Sequence, residues 1–346
     1  DNPDIASESV AFERFGFGEA RAVSAEHRVG VDRLQRDLAK EVGRAGGLPG
    51  ESGSRAPIRI ALLGKPNVGK SSLGNRLLES ERLIVSEVPG TTRDAISHRL
   101  TYESRDEGSV DFELVDTAGL RAKHKVDSPV EYFSTLRSRR AIEQCDIAFL
   151  LLDSTTGVTR QDKALAGEIL EAGRPVIVVV NKWDIALEAQ ARGEIEGYPN
   201  LDAFRKGYLE ALQKELFFLP ASPVLFVSAQ TGFRVTDLLE EAIRLDRRLD
   251  AKIPTGQLNR ELREMMEHRS PKRISGSPFK LFYATQTGNR PFWIRIFCNH
   301  TGKLEDGYRR YLENGAIRAF NLDGCPIRFG LVGKERREGG RRRPAN

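Results

Sequence analysis

The chain has 346 residues, enough for two or three domains, and 39% of them are hydrophobic, so it can bury substantial cores. No apolar run is long enough to cross a bilayer, and the first residues, DNPDIASESV, lack the pattern of a secretory signal. Three widely spaced cysteines without a C-x-x-C pair argue against a disulfide framework and against a zinc site. We therefore expect a cytoplasmic protein with no membrane segment.

The net charge of +5 is unevenly distributed along the chain. From Asp250 onward there are 20 lysines and arginines against 10 acidic residues, a net of +10, so the first 249 residues carry −5. A basic end favours a polyanionic partner such as nucleic acid, although a basic tail is often only a solvated chain end. The tail KERREGGRRRPAN could contact phosphates, which would make binding strongly salt-dependent.

The centre of the chain has the pattern of a parallel sheet. Residues 41–57, EVGRAGGLPGESGSRAP, are rich in Gly, Pro, Ser and charge and predict a flexible linker. Apolar runs of the kind found in strands buried on both faces then alternate with helical patterns. These runs are IRIALLG at 58–64, VDFELVDT at 110–117, IAFLLLD at 147–153, PVIVVVN at 175–181 and VLFVSA at 224–229. The predicted fold class is α/β, a doubly wound and mostly parallel sheet.

The basic C-terminal part predicts a small α+β domain, because short strands alternate with amphipathic helical stretches such as LNRELREMMEH and EDGYRRYLENGAI. An RNA-clamping G-x-x-G loop between two helices is not visible, since the match at Gly330 and Gly333 follows a strand. Aromatic residues there could stack on bases or fill a core, and their alternating spacing favours the core. They are Phe279, Phe282, Tyr283, Phe292, Trp293 and Phe297.

A phosphate-binding loop is the strongest motif. Residues 64–71, GKPNVGKS, match G-x-x-x-x-G-K-[ST] between a predicted strand and a helical run. Its glycines let N–H groups surround phosphate oxygens, Lys70 meets the β and γ phosphates, and Ser71 offers a hydroxyl to Mg²⁺. An ordinary Gly-rich turn is the alternative. The predicted phosphate-binding residues are Gly64, Lys65, Pro66, Asn67, Val68, Gly69, Lys70, Ser71, Ser72 and Gly119.

Two later segments have the positions of switch regions. Asp116 follows an apolar strand, where it could hold a Mg²⁺-bound water, and the Gly119 N–H could sense the γ phosphate. The sequence PGTTRD could bring a threonine onto Mg²⁺ when the γ phosphate is present, with Thr92 the first choice, although PGTT could also be a simple turn. The predicted switch residues are Thr91, Thr92, Asp116, Thr117, Ala118, Gly119 and Leu120, and the predicted catalytic residues are Lys70, Thr92 and Gly119.

The base is predicted to be guanine. The sequence Asn181-Lys182-Trp183-Asp184 closes a strand, and Asp184 can accept hydrogen bonds from the guanine N1 and N2 donors, which adenine does not offer. Asn181 would tie the loops together, and the stem of Lys182 would cover the base. Ser228 and Ala229 follow the next strand and would supply a main-chain contact near the base oxygen.

The first residues repeat part of this pattern. Val23-Ser24-Ala25 is followed by valine and leucine at the same spacing as in Val227-Ser228-Ala229. Residues 1–40 are therefore predicted to be the end of a second copy of the central domain, too short to form a sheet alone.

The motifs GKPNVGKS, PGTTRD, DTAGLR, NKWD and VSA, in this order, resemble the second GTPase domain of the Der (EngA) family. The resemblance covers essentially the whole chain, and the segments KLFYATQT, PFWIRIFCN and YRRYLENGAIRAFNLDGCPIRF resemble the family's KH-like domain. It implies a bacterial GTPase with two tandem GTPase domains that acts in assembly of the large ribosomal subunit. Asp1 falls on the last position of the first domain's guanine motif, and a fragment is the favoured interpretation.

The predicted domains are 1–40 as the remnant of a first GTPase domain, 41–56 as linker, 57–249 as GTPase domain, 250–334 as KH-like domain and 335–346 as basic tail. Leu120 cannot orient an attacking water as a glutamine would. Asn67 resembles the family residue associated with potassium, which implies that K⁺ assists hydrolysis. The expected cofactors are GTP or GDP, Mg²⁺ and K⁺.

The function implied is that of a nucleotide switch, which we expect to be a monomer, partly ribosome-associated, with the large subunit or its precursors and ribosomal RNA as partners. One alternative is a ribosome-binding or RNA-binding module whose GTP turnover is incidental. Another is a potassium-dependent GTPase acting in tRNA modification or small-subunit maturation, against which stand the VSA repeat and the domain order.

Overall fold

The computed structural model of the chain describes residues 55–80, 83–88, 97–115, 130–219, 221–272, 278–299 and 304–333, with the backbone alone for 83–88, 97 and 130–135. Apart from Arg55, these residues belong to one unit, Ala56–Asn346. The predicted first-domain remnant, nearly all of the linker and the basic tail lie outside the described residues. In the described part of the chain, every helix is too short or too polar to cross a bilayer.

Seven strands form the larger sheet, in the order β2-β3-β4-β1-β5-β6-β7. The strands β4, β1, β5, β6 and β7 run parallel, whereas β2 and β3 add an antiparallel edge. The strand bounds are β1 Ile58–Leu63, β2 Leu83–Val88, β3 Ser97–Ser104, β4 Gly108–Val115, β5 Ile147–Asp153, β6 Val176–Asn181 and β7 Val224–Phe226. The helices of this part are α1 Lys70–Leu78, α2 Val130–Gln144, α3 Arg160–Glu171, α4 Trp183–Ala191, α5 Leu201–Glu215 and α6 Asp237–Leu249. The predicted mostly parallel sheet is confirmed.

The central strands are apolar on both faces because each face carries its own core. All seven residues of β5 are buried. Phe149 and Leu151 point into one core with Leu73 of α1, whereas Leu150 and Leu152 point into the other with Trp183 of α4. Removing this much apolar surface from water is the main favourable term in folding the sheet. Because these strands are parallel, their carboxyl ends lie at one edge of the sheet, where the loops begin.

The C-terminal part has a second sheet of three strands in the order β10-β9-β8, in which β10 and β9 are parallel and β9 and β8 antiparallel. Its elements are α7 Thr255–His268, β8 Leu281–Asn289, β9 Phe292–Cys298, α8 Asp306–Phe320 and β10 Ile327–Gly333. The predicted α+β arrangement is confirmed. Gly330 and Gly333 lie within β10, so the G-x-x-G match is part of a strand and does not form a loop between helices.

The aromatic residues of this sheet divide between its two faces. Phe292 is fully buried in the core, whereas Tyr283 is 46% and Trp293 41% exposed. The interpretation of all six aromatics as core residues was therefore wrong for part of the set, which includes the exposed Phe282. Alternation along a strand places successive side chains on opposite faces, which accounts for the buried Phe292 and the exposed Trp293. The neighbours Phe282 and Tyr283 are both exposed because the strand register is irregular between Leu281 and Tyr283.

The two sheets share one apolar core. Leu245 and Leu249 of α6 belong to the same buried cluster as Leu258 of α7 and Phe292 of β9. At the rim of this contact, Arg290 donates to the Asp250 carboxylate at 2.8 Å and also binds Asp246, both on α6 or directly after it. A shared core and an ion-pair cluster together join the three-stranded sheet to the GTPase sheet.

One buried carboxylate joins α6 to the β3–β4 hairpin. Glu240 accepts hydrogen bonds from the Tyr102 hydroxyl at 2.9 Å, the Ser104 hydroxyl at 3.0 Å and the Arg105 N–H at 3.0 Å. Burial alone would raise the pKa of Glu240, but the bonds from Arg105, Tyr102 and Ser104 lower it below its ordinary value. A group whose pKa is lowered by folding stabilises the fold above its unfolded pKa of about 4.3 and loses that contribution below it.

Replacing Glu240 by alanine should lower the free energy of unfolding by about 2–4 kcal/mol near neutral pH, because buried donors lose a charged acceptor. Urea denaturation should show that the difference from the wild type shrinks as the pH falls below about 4, where the carboxylate is protonated. Glu210→Ala, at an exposed position on α5, is the matched control and should change stability by no more than about 0.5 kcal/mol. Equal effects of the two substitutions would contradict this role.

Candidate functional site

The loop between β1 and α1 has the backbone form that a phosphate requires. Gly64, Asn67 and Gly69 have φ of 152°, 62° and 101°. A Cβ on Gly64 would lie 2.7 Å from the Leu151 carbonyl oxygen, and one on Gly69 would collide with the Asn181 amide. These two positions therefore require glycine for space as well as for conformation. Of the remaining loop residues, Pro66 and Asn67 are exposed and Val68 is buried.

Lys70, the first residue of α1, reaches back across this loop. Its Nζ donates to the carbonyl oxygens of Gly64 at 2.7 Å and Lys65 at 2.8 Å. Partial burial lowers the pKa of the Lys70 ammonium. The first turn of a helix has N–H groups without intrahelical partners, and Ser71 and Ser72 are exposed in this turn. A lysine charge and a helix N-terminus thus meet at one point, which is the chemistry of an anion site.

Asn181, at the end of β6, connects two loops. Its Nδ2 donates to the Val68 carbonyl oxygen in the phosphate loop at 2.9 Å, and its Oδ1 accepts from the Ala229 N–H after β7 at 3.0 Å. The side chain is buried, with 2% of the residue exposed. Because both ends of the amide are hydrogen-bonded, a displacement of one loop strains the bond to the other loop.

Asp184 lies in the first turn of α4, and its Oδ1 is buried without a hydrogen-bond partner among the described residues. A buried carboxylate oxygen without a donor is costly, which indicates a ligand that supplies one. Ser228 is fully buried, its hydroxyl accepts from the Thr231 N–H at 3.1 Å, and it precedes the Ala229 amide bound to Asn181. The two predicted base-site segments, 181–184 and Ser228-Ala229, therefore meet at one edge of the sheet.

Three residues of this edge were not singled out from the sequence. Asp153 and Ser154, at the end of β5, contact Lys182, and Arg76 of α1 donates to the Ala229 carbonyl oxygen at 3.1 Å. The signal for Asp153 was present, because a single aspartate closes the otherwise apolar run IAFLLLD. Arg76 carried no signal, since it is one of many arginines on polar helix faces.

Other predicted residues lie outside the described residues: Thr91, Thr92, Asp116, Thr117, Ala118, Gly119 and Leu120. Of the three predicted Mg²⁺ ligands, only Ser71 is described. Within the described ranges, no group of three or more His, Cys, Asp or Glu side chains could hold a metal ion.

This site and sheet define the chain as a P-loop GTPase with an additional α+β domain. Residues 59–182 match the family model described as "50S ribosome-binding GTPase", and residues 252–331 match "KH-domain-like of EngA bacterial GTPase enzymes, C-terminal". The predicted class of enzyme is thereby confirmed: the protein binds and hydrolyses GTP.

Curated relatives fix the family. The chain is 40% identical to GTPase Der of Moorella thermoacetica over 319 residues, which are 92% of this chain and 68% of that protein. It is 39% identical to GTPase Der of Caldanaerobacter subterraneus over 91% of this chain and 67% of the relative. The chain belongs to the GTPase Der family, as the motifs indicated.

Among solved structures, Era in complex with MgGDPNP and nucleotides 1506-1542 of 16S ribosomal RNA is similar with a TM-score of 0.38 and 19% identity. The similarity covers 80% of this chain and 93% of that chain.

Gly69→Ala is expected to weaken GTP binding by about 10- to 100-fold, because the new methyl group strains the loop and displaces the Asn181 amide. Gly167→Ala is the matched control, since a Cβ on this α3 glycine meets nothing within 4 Å. Its GTP affinity should be unchanged and its stability equal or higher by up to about 1 kcal/mol. Titration with a fluorescent GTP analogue measures the affinity of both variants. Normal affinity in Gly69→Ala would contradict the described loop geometry.

Proposed function

We propose that this protein is a GTP-dependent switch in the assembly of the large ribosomal subunit. The observation that carries the proposal is the Asn181 bridge, which joins the phosphate loop to the loop after β7 in a unit that also contains the KH-like domain. The family description of residues 59–182 as ribosome-binding, and the basic C-terminal part, support the choice of partner.

In this proposal the loop at 64–71 holds the phosphates, with Lys70 exchanging its carbonyl partners for the β and γ phosphate oxygens. Asp184 accepts from the N1 and N2 donors of guanine, which satisfies its buried Oδ1. Ser228 and Ala229 close the base site from the loop after β7. GTP and GDP differ only in the γ phosphate, so a switch must respond to the groups that contact this phosphate.

Mg²⁺ would be held by Ser71 together with Thr92 and Asp116, and when bound it neutralises charge developing on the phosphates. Ser71 fits this part because it is exposed in the first turn of α1, next to Lys70. Gly119 would donate its N–H to the γ phosphate, and residues 116–120 with Thr91 and Thr92 would form the switches.

K⁺ is the proposed substitute for an arginine finger. Leu120 has no polar group with which to orient water, and Asn67 is exposed at the rim of the phosphate loop with an amide oxygen suited to a cation.

Hydrolysis in potassium chloride should exceed hydrolysis in sodium chloride at equal ionic strength by at least about tenfold, because the cation offsets charge in the transition state. Asn67→Ala should abolish the difference while its GTP affinity stays within about threefold of the wild type. Single-turnover phosphate release measures the rates. Equal wild-type rates in the two salts would contradict the potassium site.

The face of the three-stranded sheet that carries Trp293 supports contact with single-stranded ribosomal RNA. Trp293, Arg295 and Arg328 lie on this face, with the Arg328 guanidinium 5.7 Å from the Trp293 ring centroid. Two further aromatic residues, Tyr283 and Phe297, form a pair whose ring centroids are 5.9 Å apart. The three strands contain no aspartate or glutamate. Exposed aromatic rings beside Arg295 suit stacked bases and phosphates. Arg328 already donates to the Glu171 carbonyl oxygen, and Glu171 and Glu313 line the same cavity as Trp293.

The proposal predicts that purified large subunits bind the protein at least about tenfold more tightly with one nucleotide state than with the other, and that they accelerate GTP hydrolysis. Co-sedimentation with a non-hydrolysable GTP analogue and with GDP measures the first, and single-turnover hydrolysis the second. Trp293→Ala and Arg295→Ala should each weaken particle binding by roughly tenfold without changing hydrolysis by the free protein. Arg205→Ala, another exposed arginine, is the matched control.

Equal affinity in both nucleotide states, with no acceleration, would favour the second candidate, a ribosome-binding module with incidental GTP turnover. Preference for purified small subunits or for tRNA would favour a GTPase of small-subunit maturation or tRNA modification. Unchanged particle binding in both sheet variants would remove the RNA face and leave the nucleotide switch intact.

A further inference from the structure

An ion pair lies beside the predicted base site, where the ends of β5 and β6 meet. The Lys182 ammonium is 2.6 Å from Asp153 Oδ2, and the Asp153 side chain is 8% exposed against 34% for Lys182. Asp153 pairs with Asn181 in the register of the two strands, so the carboxylate belongs to the strand next to the guanine motif.

The carboxylate is held on its other side as well. Its Oδ1 accepts from the Thr155 N–H at 2.9 Å and from the Thr155 hydroxyl at 2.7 Å. Both oxygens are therefore engaged, and the orientation of the carboxylate is fixed by its own turn before Lys182 is considered.

The backbone of the guanine motif is held from the same turn. The Ser154 hydroxyl donates to the Lys182 carbonyl oxygen at 2.8 Å, and the Ser154 N–H donates to the Asn181 carbonyl oxygen at 3.0 Å. Lys182 itself has φ of 61°, a left-handed conformation that costs free energy for a residue other than glycine. The lysine is thus fixed at its carbonyl and at its ammonium.

We propose that Asp153 is a positioning residue for nucleotide binding. By holding the Lys182 ammonium, it keeps the apolar lysine stem in the extended position in which it packs against the face of the guanine base. This inference rests on the proposed guanine site at residues 181–184. A free lysine side chain loses about 2 kcal/mol of rotamer entropy when it is ordered, and an ion pair made before binding removes much of that cost from the binding step.

The ion pair is present at neutral pH. Burial would raise the pKa of Asp153, but the bonds from Lys182 and Thr155 outweigh it and lower the pKa below its ordinary value. The carboxylate therefore stays charged throughout the physiological pH range.

A purely structural role, in which the pair only fastens β5 to β6, makes a different prediction. It would lower stability without a specific effect on the nucleotide. Contact with the base face is the same in the ground state and the transition state, so a positioning role must raise KM and leave kcat unchanged.

The test compares Asp153→Asn with Lys182→Met, which keeps the stem and removes the charge, and with the double variant. Each single variant should raise the KM for GTP and the Kd for GDP by about tenfold with kcat at saturation unchanged, and the double variant should be no weaker than either single one. The double variant, which leaves no unpaired charge, serves if a single variant fails to fold. Its KM should then be raised about tenfold as well.

Asp146→Asn is the matched control. Asp146 pairs with Arg59 at 2.8 Å just before β5, about 20 Å from Asp153 along the strand, so the control removes a similar ion pair far from the nucleotide. It should alter stability and leave KM unchanged. A KM unchanged in Asp153→Asn or in the double variant, or raised equally in Asp146→Asn, would overturn the inference.

Asp184→Asn separates this inference from the proposed guanine site. An asparagine there offers an N–H to the O2 of xanthine in place of accepting from guanine N2, so the variant should prefer xanthosine triphosphate to GTP. Failure of that exchange would refute the guanine site itself. Success of the exchange together with a normal KM in Asp153→Asn would refute only the role of Asp153.

Discussion

The candidate nucleotide site, at the carboxyl edge of the larger sheet and called the nucleotide edge below, depends on the two hydrogen bonds of the Asn181 side chain. They tie together loops that follow β1 and β7, at the ends of strands separated by two others in the sheet. A buried amide with both ends satisfied tolerates little displacement, since each lost bond leaves a polar group without water. Gly69 packs directly against this amide and leaves no space for a Cβ, so the phosphate loop and the guanine motif are in close contact at this point.

The parallel sheet makes this arrangement possible. Its central strands are buried on both faces, so their polar termini are the places where chemistry can face solvent. Asp153 ends β5 and Asn181 ends β6, and Lys70 is the first residue of α1, the helix that follows β1. Placing ligand groups at the carboxyl edge is the general rule for open α/β sheets.

The sequence predicted those features that depend on local pattern and missed those that depend on packing. Runs rich in apolar residues predicted β1, β4, β5, β6 and β7, whereas β2 and β3 mix polar and apolar residues at the antiparallel edge and were not singled out. The expectation of burial on both faces was wrong for β4, which carries Asp111 and Glu113 and buries alternate residues. The phosphate loop and guanine motif were recognisable because their chemistry needs fixed residue types at fixed spacing. The pairing of Asp153 with Lys182 joins residues 29 positions apart in the chain, and only the strand register brings them together.

The apolar core shared by α6 and the three-stranded sheet has a thermodynamic consequence. Leu245 and Leu249 cannot lose their neighbours in one sheet without exposing surface in the other, so the two sheets should melt in a single cooperative transition. Any ligand that binds the native nucleotide edge therefore also raises the melting temperature of the distant KH-like domain, because mass action stabilises the whole cooperative unit. The cell's GTP pool would in this way help to keep folded a surface that GTP never touches.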